Sequence, residues 1–217
     1  MRVAIIGQGY VGLTIADGAA GAGHKVTGFD VNPDLVKALN SGVSHIEGIS
    51  DAELKNFLSN KTYTASTETS SVNGCDVIVI AVPTPLTESR EPDLSFVHAA
   101  VELIQNNVKT PTLIINESTS YPGTLRKEIA ARITGVTHLY ASSPERVDPG
   151  NTQWGTKNTP RLIGGLTPEA VAKIAVNALF NKKPEVITGF INKLGAFLVW
   201  LLPKKLAEST AASLYGL

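Results

Sequence analysis

The sequence predicts an α/β fold, doubly wound, with a mainly parallel sheet and helices on both faces. Apolar, strand-like runs alternate with helical patterns along the chain, as they do where each parallel strand returns through a covering helix. The first thirty residues give a buried strand, a glycine turn, a helix, a second strand and an acid, in that order. The 217 residues, 43% of them hydrophobic, suffice for one large domain with its own core.

The opening segment contains the most specific motif. Val3–Ile6 is an apolar run that leads into Gly7-Gln8-Gly9-Tyr10-Val11-Gly12, which fits G-x-G-x-x-G. The helix-forming stretch Leu13–Ala22 follows, and the strand Lys25–Phe29 then leads to Asp30, 18 residues after Gly12. The glycines alone are a weak signal, but their order with these elements is a strong, Rossmann-type dinucleotide-binding fingerprint.

Each part of the motif has a physical role. Gly7 can adopt the positive φ of a tight turn, and Gly9 leaves space for a pyrophosphate against the N–H groups of a helix N-terminus. Gly12 lets the helix pack closely on its strand. Asp30 is expected to bind a ribose diol and repel a 2′-phosphate, which favours NAD over NADP. The alternative, a plain turn at Gly9 and an ordinary cap at Asp30, requires several coincidences.

The elements of the first half continue the α/β alternation. The signal Asn32-Pro33-Asp34 begins a short helix, and Ser50-Asp51-Ala52-Glu53 reads as a capping box that opens another. A β-branched run before Pro83 is the clearest buried strand. The predicted elements are a helix over 35–39, a helix from 51 to about 58, a strand over 62–66 on the second half of the sheet or at its edge, and a strand over 76–82.

The second half repeats the pattern. Pro122 is placed in the first turn of a helix, where a missing N–H costs little. The predicted elements are helices over 93–106, 122–133 and 167–179, with strands over 112–116, 137–141 and 161–163. The sequence therefore predicts one domain over residues 1–187. The tail, residues 188–217, has a different texture, because Gly189, Gly195 and Pro203 interrupt any helical pattern.

Bulk properties exclude several classes of function. Nineteen basic and nineteen acidic residues cancel without a basic stripe, so no nucleic-acid partner is expected. The single cysteine excludes an internal disulfide, and with the lack of an N-terminal leader it predicts a cytoplasmic protein. The apolar stretch Leu194–Leu202 is too short to cross a membrane. No metal is expected, because the histidines lack ligand spacing; they are His24, His45, His98 and His138.

Polar, proline-containing loops follow three predicted strands at their carboxyl ends, where open parallel sheets bind ligands. They are Val82-Pro83-Thr84-Pro85, the loop 116–124 and the loop 142–151. With the glycine turn, the chain resembles the UDP-glucose/GDP-mannose dehydrogenase family. The motifs that carry the resemblance, over residues 1 to about 170, are G-Q-G-Y-V-G-L, F-D-V-N, V-P-T-P, E-S-T-S-Y-P-G-T and S-P-E-R-V-D-P-G-N.

The resemblance implies a nucleotide-sugar 6-dehydrogenase, which oxidises a sugar C6 alcohol to a carboxylate with two NAD⁺ through a cysteine-bound thiohemiacetal and thioester. The loops 44–49 and 85–94 look most like the branch that acts on UDP-N-acetylhexosamines. The implied cofactor-binding residues are Gly7, Gln8, Gly9, Tyr10, Val11, Gly12, Asp30, Pro83, Thr84, Ser118, Thr119 and Glu145. The implied substrate residues are Ser143, Pro144, Glu145 and Arg146.

Thr119 and Glu145 are the implied catalytic residues. Hydrolysis of a thioester needs a positioned water, which a threonine hydroxyl can hold, and a carboxylate to take its proton. A partly buried glutamate can have its pKa raised toward the working pH. The alternatives are a turn-capping hydroxyl at Thr119 and a solvated carboxylate paired with Arg146. Cys75 is most simply a core residue, and Arg90 is more readily a surface loop residue than a substrate ligand.

The resemblance also implies parts that this sequence does not contain. Family members are roughly twice as long, with a central helix that carries a catalytic Lys and Asn and a second domain that supplies the nucleophilic Cys and closes over the UDP-sugar. A shifted reading frame is one explanation, since a family-like Thr-Tyr-Arg-Ser-Val read one base out can yield the Thr-Ala-Ala-Ser at 210–213. The chain is therefore expected to bind NAD but to be truncated and inactive alone.

Three interpretations remain open. The first is this NAD-binding half, with its ancestral activity lost or dependent on a second, complementing C-terminal polypeptide; a homodimer is the other expected partner state. The second is a fragment of another NAD-dependent enzyme, of the hydroxyacid or 6-phosphogluconate type. The third is a non-catalytic nucleotide-binding module. The Ser-Thr loop at 118–119 and the Ser-Pro-Glu-Arg loop at 143–146 favour the first.

Overall fold

The computed structural model describes residues 1–145 and 162–171. Within them, seven strands form one sheet in the order β3-β2-β1-β4-β5-β6-β7. Neighbours among β1 to β6 are parallel, and β7 runs antiparallel to β6. The strands are β1 (Arg2–Ile6), β2 (Lys25–Phe29), β3 (Tyr63–Ser66), β4 (Val77–Ile80), β5 (Leu113–Asn116), β6 (Leu139–Ser142) and β7 (Gly164–Gly165). The predicted, mainly parallel sheet is confirmed.

The strand order reverses between β1 and β4. From β1 the chain moves outward through β2 to β3, then returns to β4 on the other side of β1 and continues to β7. In open parallel sheets this reversal opens a crevice at the carboxyl ends of the two central strands, where ligands bind. The glycine turn follows β1 directly, so the fold places it at the crevice.

Helices cover both faces of the sheet. They are α1 (Tyr10–Gly21), α2 (Pro33–Asn40), α3 (Asp51–Ser59) and α4 (Ser95–Asn107). α4 buries Val97, Val101 and Ile104 in one cluster with Ala4 and Ile78 of the central strands. The alternate residues of β1 point to the opposite face. There α1, which contacts β1 and β2, buries its own apolar side, formed by Leu13, Ala16 and Ala20.

Local sequence signals account for two of the helix starts. The Asn32 side chain accepts hydrogen bonds from the backbone N–H groups of Asp34 and Leu35, with Pro33 as the first helical residue. The Ser50 side chain accepts from the backbone of Glu53, whose carboxylate bonds back to the Ser50 N–H. These are the predicted cap and capping box, and both are confirmed.

The helix predicted over 122–133 is wrong in form. The structure has a π-helical segment, Leu125–Ile129, followed by a short 3₁₀ segment, Ala130–Arg132. Gly123 has a φ of 98°, outside the helical region, so a helix cannot include Pro122. The last strand, β7, begins after the predicted range 161–163, as a Gly-Gly pair that composition does not favour in strands.

Some predictions lie wholly or partly outside the described residues. Helix begins at Pro168 in the predicted segment 167–179, and the description ends at residue 171. The tail 188–217 and most of the loop 142–151 are also outside. Within the described part of the chain, no helix has the length and apolarity to cross a bilayer. Nor do any three potential metal-ligating His, Cys, Asp or Glu side chains there come together.

Candidate functional site

The glycine turn brings β1, β4 and α1 into close contact. Gly7 has a φ of 93°, and a Cβ at this residue would lie 2.6 Å from the carbonyl oxygen of Ala81, just beyond β4. A Cβ at Gly12, in the first turn of α1, would overlap the carbonyl oxygen of Gly7. The predicted roles of these two glycines in the turn and in helix packing thus have a direct steric basis.

The N-terminus of α1 has no side-chain cap. Gly9 is the N-cap residue, the first turn contains no acid, and the first helical hydrogen bond runs from the Leu13 N–H to the Gly9 carbonyl. The N–H groups over 9–12 have no partner among the described residues. A Cβ at Gly9 would find no atom within 4 Å. Four free donors, the positive end of the helix dipole and open space beside them form a cradle for an anion.

Asp30 lies at the carboxyl end of β2, beside the glycine turn. One carboxylate oxygen accepts from the backbone N–H of Gln8 at 2.8 Å, and the other accepts from the N–H of Asn32 at 2.9 Å. A carboxylate has about four lone-pair sites, so two remain for the hydroxyls of a ribose diol. The next residue, Val31, is 82% exposed, which offers an apolar surface next to the diol site.

The side chain of Gln8 is buried beneath the turn. Its Nε2 donates to the carbonyls of Ile5 and Gly7, and its Oε1 accepts from the hydroxyl of Tyr63 at 2.8 Å. Burial, reinforced by the Asp30 carboxylate, raises the pKa of the Tyr63 phenol, so its proton stays available for this bond. A Cβ at Gly28, on β2, would overlap the Gln8 amide.

Sequence reasoning assigned no role to Tyr63 or Gly28. One signal for Gly28 was present, because an isolated glycine inside a strand often marks the close approach of another group. No local signal marks Tyr63, because its contact with Gln8 joins residues 55 positions apart.

Hydrogen bonds hold the remaining predicted loops together at the carboxyl ends of the strands. The Ala81 N–H donates to the carbonyl of Ile6, at the end of β1. Beyond β5, the Ser118 hydroxyl donates to the carbonyl of Val82 at 2.8 Å. Beyond β6, the Ser143 N–H donates to the carbonyl of Asn116 at 2.9 Å. The structure thus brings the loops that follow β1, β4, β5 and β6 into adjacent positions.

Exposure divides the predicted site residues into three groups. Thr119 and Pro83 are exposed, while Ser118 and Ser143 are buried. The partly buried residues of the predicted site are Val11, Asp30, Thr84, Pro144 and Glu145, whereas Arg146 lies outside the described residues. Tyr10, the first residue of α1, is 39% exposed. The catalytic candidates therefore follow neighbouring strands, with the Thr119 side chain accessible and Glu145 partly so.

Asn116, at the end of β5, is a buried polar residue that the sequence placed at the end of a strand and the start of a loop, without a role of its own. Its Nδ2 donates to the Ser118 carbonyl at 3.0 Å and to the Ser120 hydroxyl at 3.3 Å. The amide thereby fixes the loop that carries Thr119. Its Oδ1 is buried and has no hydrogen-bond partner among the described residues.

Cys75 lies at the opposite end of the sheet. It immediately precedes Asp76 at the amino end of β4, is 6% exposed and belongs to the core cluster around α4. Burial is the main cause that raises the pKa of its thiol. It is therefore neither accessible nor near the crevice, as expected for the core residue that the sequence predicted.

The parallel sheet with its crevice, the uncapped helix behind a glycine turn and the acid at the end of β2 define a dinucleotide-binding domain of the Rossmann type. The sequence profile of the UDP-glucose/GDP-mannose dehydrogenase family, NAD binding domain, matches residues 1–182. The chain belongs to this family, and its cofactor is NAD.

Relatives with assigned activities agree with the family. UDP-N-acetyl-D-mannosamine dehydrogenase of Pyrococcus horikoshii is 36% identical over 177 residues, which cover 78% of this chain and 42% of that protein. UDP-N-acetyl-D-glucosamine 6-dehydrogenase of Pseudomonas aeruginosa is 31% identical, over 92% of this chain and 47% of its own length. The chain thus spans less than half the length of these relatives.

Solved structures give the same result for the fold. The structure of UDP-glucose dehydrogenase from Pyrobaculum islandicum matches with a TM-score of 0.77 and 28% identity, over 86% of this chain and 46% of that one. The UDP-D-ManNAc dehydrogenase of Pyrococcus horikoshii matches with a TM-score of 0.73 and 34% identity, over 81% and 44% of the two chains. The similarity again covers less than half of each neighbour.

Proposed function

We propose that this chain is the NAD-binding part of a cytoplasmic UDP-sugar 6-dehydrogenase that makes uronic acid precursors for surface polysaccharides. The supporting observation is that an uncapped α1, Asp30 and the loops carrying Thr119 and Glu145 lie at one edge of the sheet. The NAD-binding domain is proposed to extend to residue 187 and the atypical tail to cover 188–217.

The proposed substrate is a UDP-N-acetylhexosamine, with UDP-glucose as the second choice. The motif loops at 44–49 and 85–94 support the first. Relatives named for UDP-N-acetyl-D-mannosamine and UDP-N-acetyl-D-glucosamine, at 36% and 31% identity, support it too. A relative named UDP-glucose 6-dehydrogenase, from Bacillus subtilis, is also 31% identical, and so UDP-glucose is retained.

The overall reaction converts one C6 alcohol and one water into a carboxylate, with two hydrides leaving carbon and three protons released. Bound NAD⁺ supplies the hydride acceptor. Asp30 would fix the adenosine ribose, and the N–H groups over 9–12 would fix the pyrophosphate. Thr119, with an exposed side chain on a loop braced by Asn116, would hold the attacking water. The partly buried Glu145 would accept its proton.

The covalent steps need a thiol that this chain does not present at the crevice. Family chemistry passes through a cysteine-bound thioester, but Cys75, the one cysteine of the sequence, is buried at the far end of the sheet. We therefore infer that the chain alone binds NAD without turnover. A complementing polypeptide that carries the thiol and the UDP-sugar pocket is the proposed active assembly. A homodimer is also proposed as a partner state, but it would bring no thiol to the crevice.

Calorimetric titration of the purified chain with NAD⁺, NADP⁺, UDP and UDP-N-acetylglucosamine tests the proposal. We expect one NAD⁺ to bind per chain, NADP⁺ to bind much more weakly, and UDP to give no heat of binding. Absorbance of NADH in a mixture with NAD⁺ and UDP-N-acetylglucosamine should stay at background. Absence of NAD⁺ binding at millimolar concentration would contradict the cofactor site, and steady NADH formation would contradict the need for a second source of thiol.

Adding the separately expressed C-terminal part of a full-length relative tests the assembly. We expect NADH formation to appear only in the mixture and to be lost when Glu145→Gln is introduced into this chain, with NAD⁺ binding retained. Unchanged turnover in the Glu145→Gln mixture would remove the proposed role of that carboxylate.

A further inference from the structure

We propose that Tyr63 and Gln8 form a buried support that sets the shape of the glycine turn, so that Tyr63 controls NAD affinity without touching the cofactor. The inference rests on the assignment of this turn as the NAD site. Tyr63 is 3% exposed and lies on the edge strand β3, whereas the turn follows β1, two strands away. Its proposed role is that of a positioning residue.

The Gln8 amide is fixed by three hydrogen bonds. Its Nε2 donates to the Ile5 carbonyl at 3.0 Å and the Gly7 carbonyl at 3.1 Å, and its Oε1 accepts from the Tyr63 hydroxyl at 2.8 Å. Because the two carbonyls can only accept, the amide cannot flip without losing these bonds. The side chain is fully buried. The Gln8 side chain therefore supports the end of β1 and the positive-φ residue Gly7 from the buried side of the turn.

The space for this support depends on Gly28. A Cβ at this residue would overlap the Gln8 amide and would lie 2.7 Å from the Tyr63 hydroxyl oxygen. The backbone of Gly28 does not have a positive φ, so conformational freedom does not explain this glycine. The need for space beside the Gln8–Tyr63 pair explains it. Gly28 is thus a third position, after Gly7 and Gly12, at which a close contact requires glycine.

Gln8 also links the support to the ligand side of the turn. Its backbone N–H donates to the carboxylate of Asp30, at 2.8 Å, while its side chain is bound by Tyr63. Loss of the Tyr63 hydroxyl leaves the Gln8 Oε1 buried without a partner, and a buried acceptor is costly to leave unpaired. The residue would then shift toward another partner, moving both the N–H that orients Asp30 and the turn that leads to Gly9.

The test is Tyr63→Phe in the full 217-residue chain, titrated with NAD⁺ by calorimetry at a temperature where circular dichroism shows the variant folded. We expect the Kd for NAD⁺ to rise about tenfold, the scale of one weakened hydrogen bond between the displaced turn and the charged pyrophosphate, with the stoichiometry unchanged at one. ADP-ribose, which lacks nicotinamide, should lose affinity by the same factor. The matched control is Tyr140→Phe on β6, a partly buried tyrosine away from the turn, for which we expect wild-type affinity.

Gly28→Ala is an independent variant. It should also weaken the binding of NAD⁺, because the new Cβ displaces the Gln8 amide. A purely structural role would lower the stoichiometry through unfolding and leave the Kd of the folded molecules unchanged. That result, or wild-type affinity in Tyr63→Phe, would overturn the inference. A wild-type chain that fails to bind NAD⁺ would instead overturn the assignment of the site itself.

Discussion

Asp30 joins three parts of the molecule at the scale of single residues. Its carboxylate accepts from the N–H groups of Gln8 and Asn32, and its own N–H donates to the carbonyl of Ser66 at 3.1 Å. The same side chain that is proposed to select NAD therefore also fixes the turn and the start of the loop to α2. The proposed cofactor selection would therefore be coupled to local order at this position.

Asp30→Asn tests that coupling. Asparagine has one acceptor oxygen instead of two, so either the Gln8 N–H or the Asn32 N–H loses its partner, and the negative charge that repels a 2′-phosphate disappears. We expect NAD⁺ affinity to fall about tenfold or more and the preference for NAD⁺ over NADP⁺ to narrow, both measured by calorimetry. Asp34→Asn, on the exposed first turn of α2, should change neither; an unchanged preference in Asp30→Asn would argue against the selection role.

His138 makes stability depend on pH. The residue is 5% exposed, its Nδ1 accepts from the Thr112 N–H at 3.3 Å, and burial lowers its pKa. A folded-state pKa below the unfolded value of about 6.5 means that the unfolded chain binds more protons. The contribution of His138 is therefore complete above about pH 6.5 and is lost as the pH falls below that value.

We expect the free energy of unfolding in urea to decrease between pH 7.5 and pH 5.5, by at most about 1.4 kcal/mol per pH unit for this one proton. His138→Gln should reduce the slope. His45→Gln, in the loop between α2 and α3, is the control, and its slope should be larger than that of His138→Gln. His24, whose pKa burial and the chain N-terminus also lower, adds a slope of the same sign. Equal slopes in wild type and His138→Gln would contradict the assignment.

At the scale of elements, α1 differs from the two helices that follow it. Asn32 caps α2 and Ser50 caps α3 with side-chain oxygens, whereas α1 begins at Gly9 without such a group. Capping normally contributes about 1 kcal/mol to stability. The missing cap leaves the N–H donors of α1 available to an anionic ligand, which then takes the place of the cap.

Gly9→Ala should separate binding from folding. The Gly9 φ of −69° suits alanine, and the new Cβ would meet no protein atom within 4 Å, but it would occupy the space proposed for the pyrophosphate. We expect the Tm to change little while NAD⁺ affinity falls at least tenfold, the scale of one lost charged hydrogen bond. Gly18→Ala, in the exposed middle of α1 with open space around it, should bind NAD⁺ normally. Retained affinity in Gly9→Ala would place the pyrophosphate elsewhere.

Strong local patterns made most elements predictable from sequence. The strand over 25–29 and the capped helix from Asp51 depend on alternation, apolar runs and caps that lie within a few residues of each other. The prediction of a helix over 122–133 failed because Gly123 has a positive φ, which the helical spacing of the apolar residues does not reveal. The G-x-G-x-x-G pattern with its flanking elements predicted the glycine turn, and position at the carboxyl strand ends predicted the loops. The Gln8–Tyr63 bond could not be predicted, since it depends on the register of β3 beside β2.

At the scale of the whole molecule, the two ends of the sheet differ in chemistry. The carboxyl ends gather the polar loops and the glycine turn, while the amino end of β4 carries the buried Cys75. Because the sequence has one cysteine, its thiol reports on the core without interference from others. The thiol is part of the buried cluster that packs around α4.

We expect a thiol reagent to label Cys75 in the native chain far more slowly than in urea, because the side chain is buried and burial raises its thiol pKa. NAD⁺ at about 100 times its Kd should slow labelling about 100-fold if exposure requires global unfolding. The rate of absorbance change with an aromatic disulfide measures this. Labelling that is slow but insensitive to NAD⁺ would indicate a local opening near β4 instead.

The donors at the start of α1 are peptide groups, and peptide N–H groups do not ionise under physiological conditions. A dinucleotide held in this way would meet the same attraction in mildly acidic and mildly alkaline solution. Any acid or alkaline limit on catalysis by a complete enzyme would then arise from the reacting carboxyl and thiol groups, leaving coenzyme saturation constant. Acidification of its surroundings would slow such an enzyme while the coenzyme stays bound.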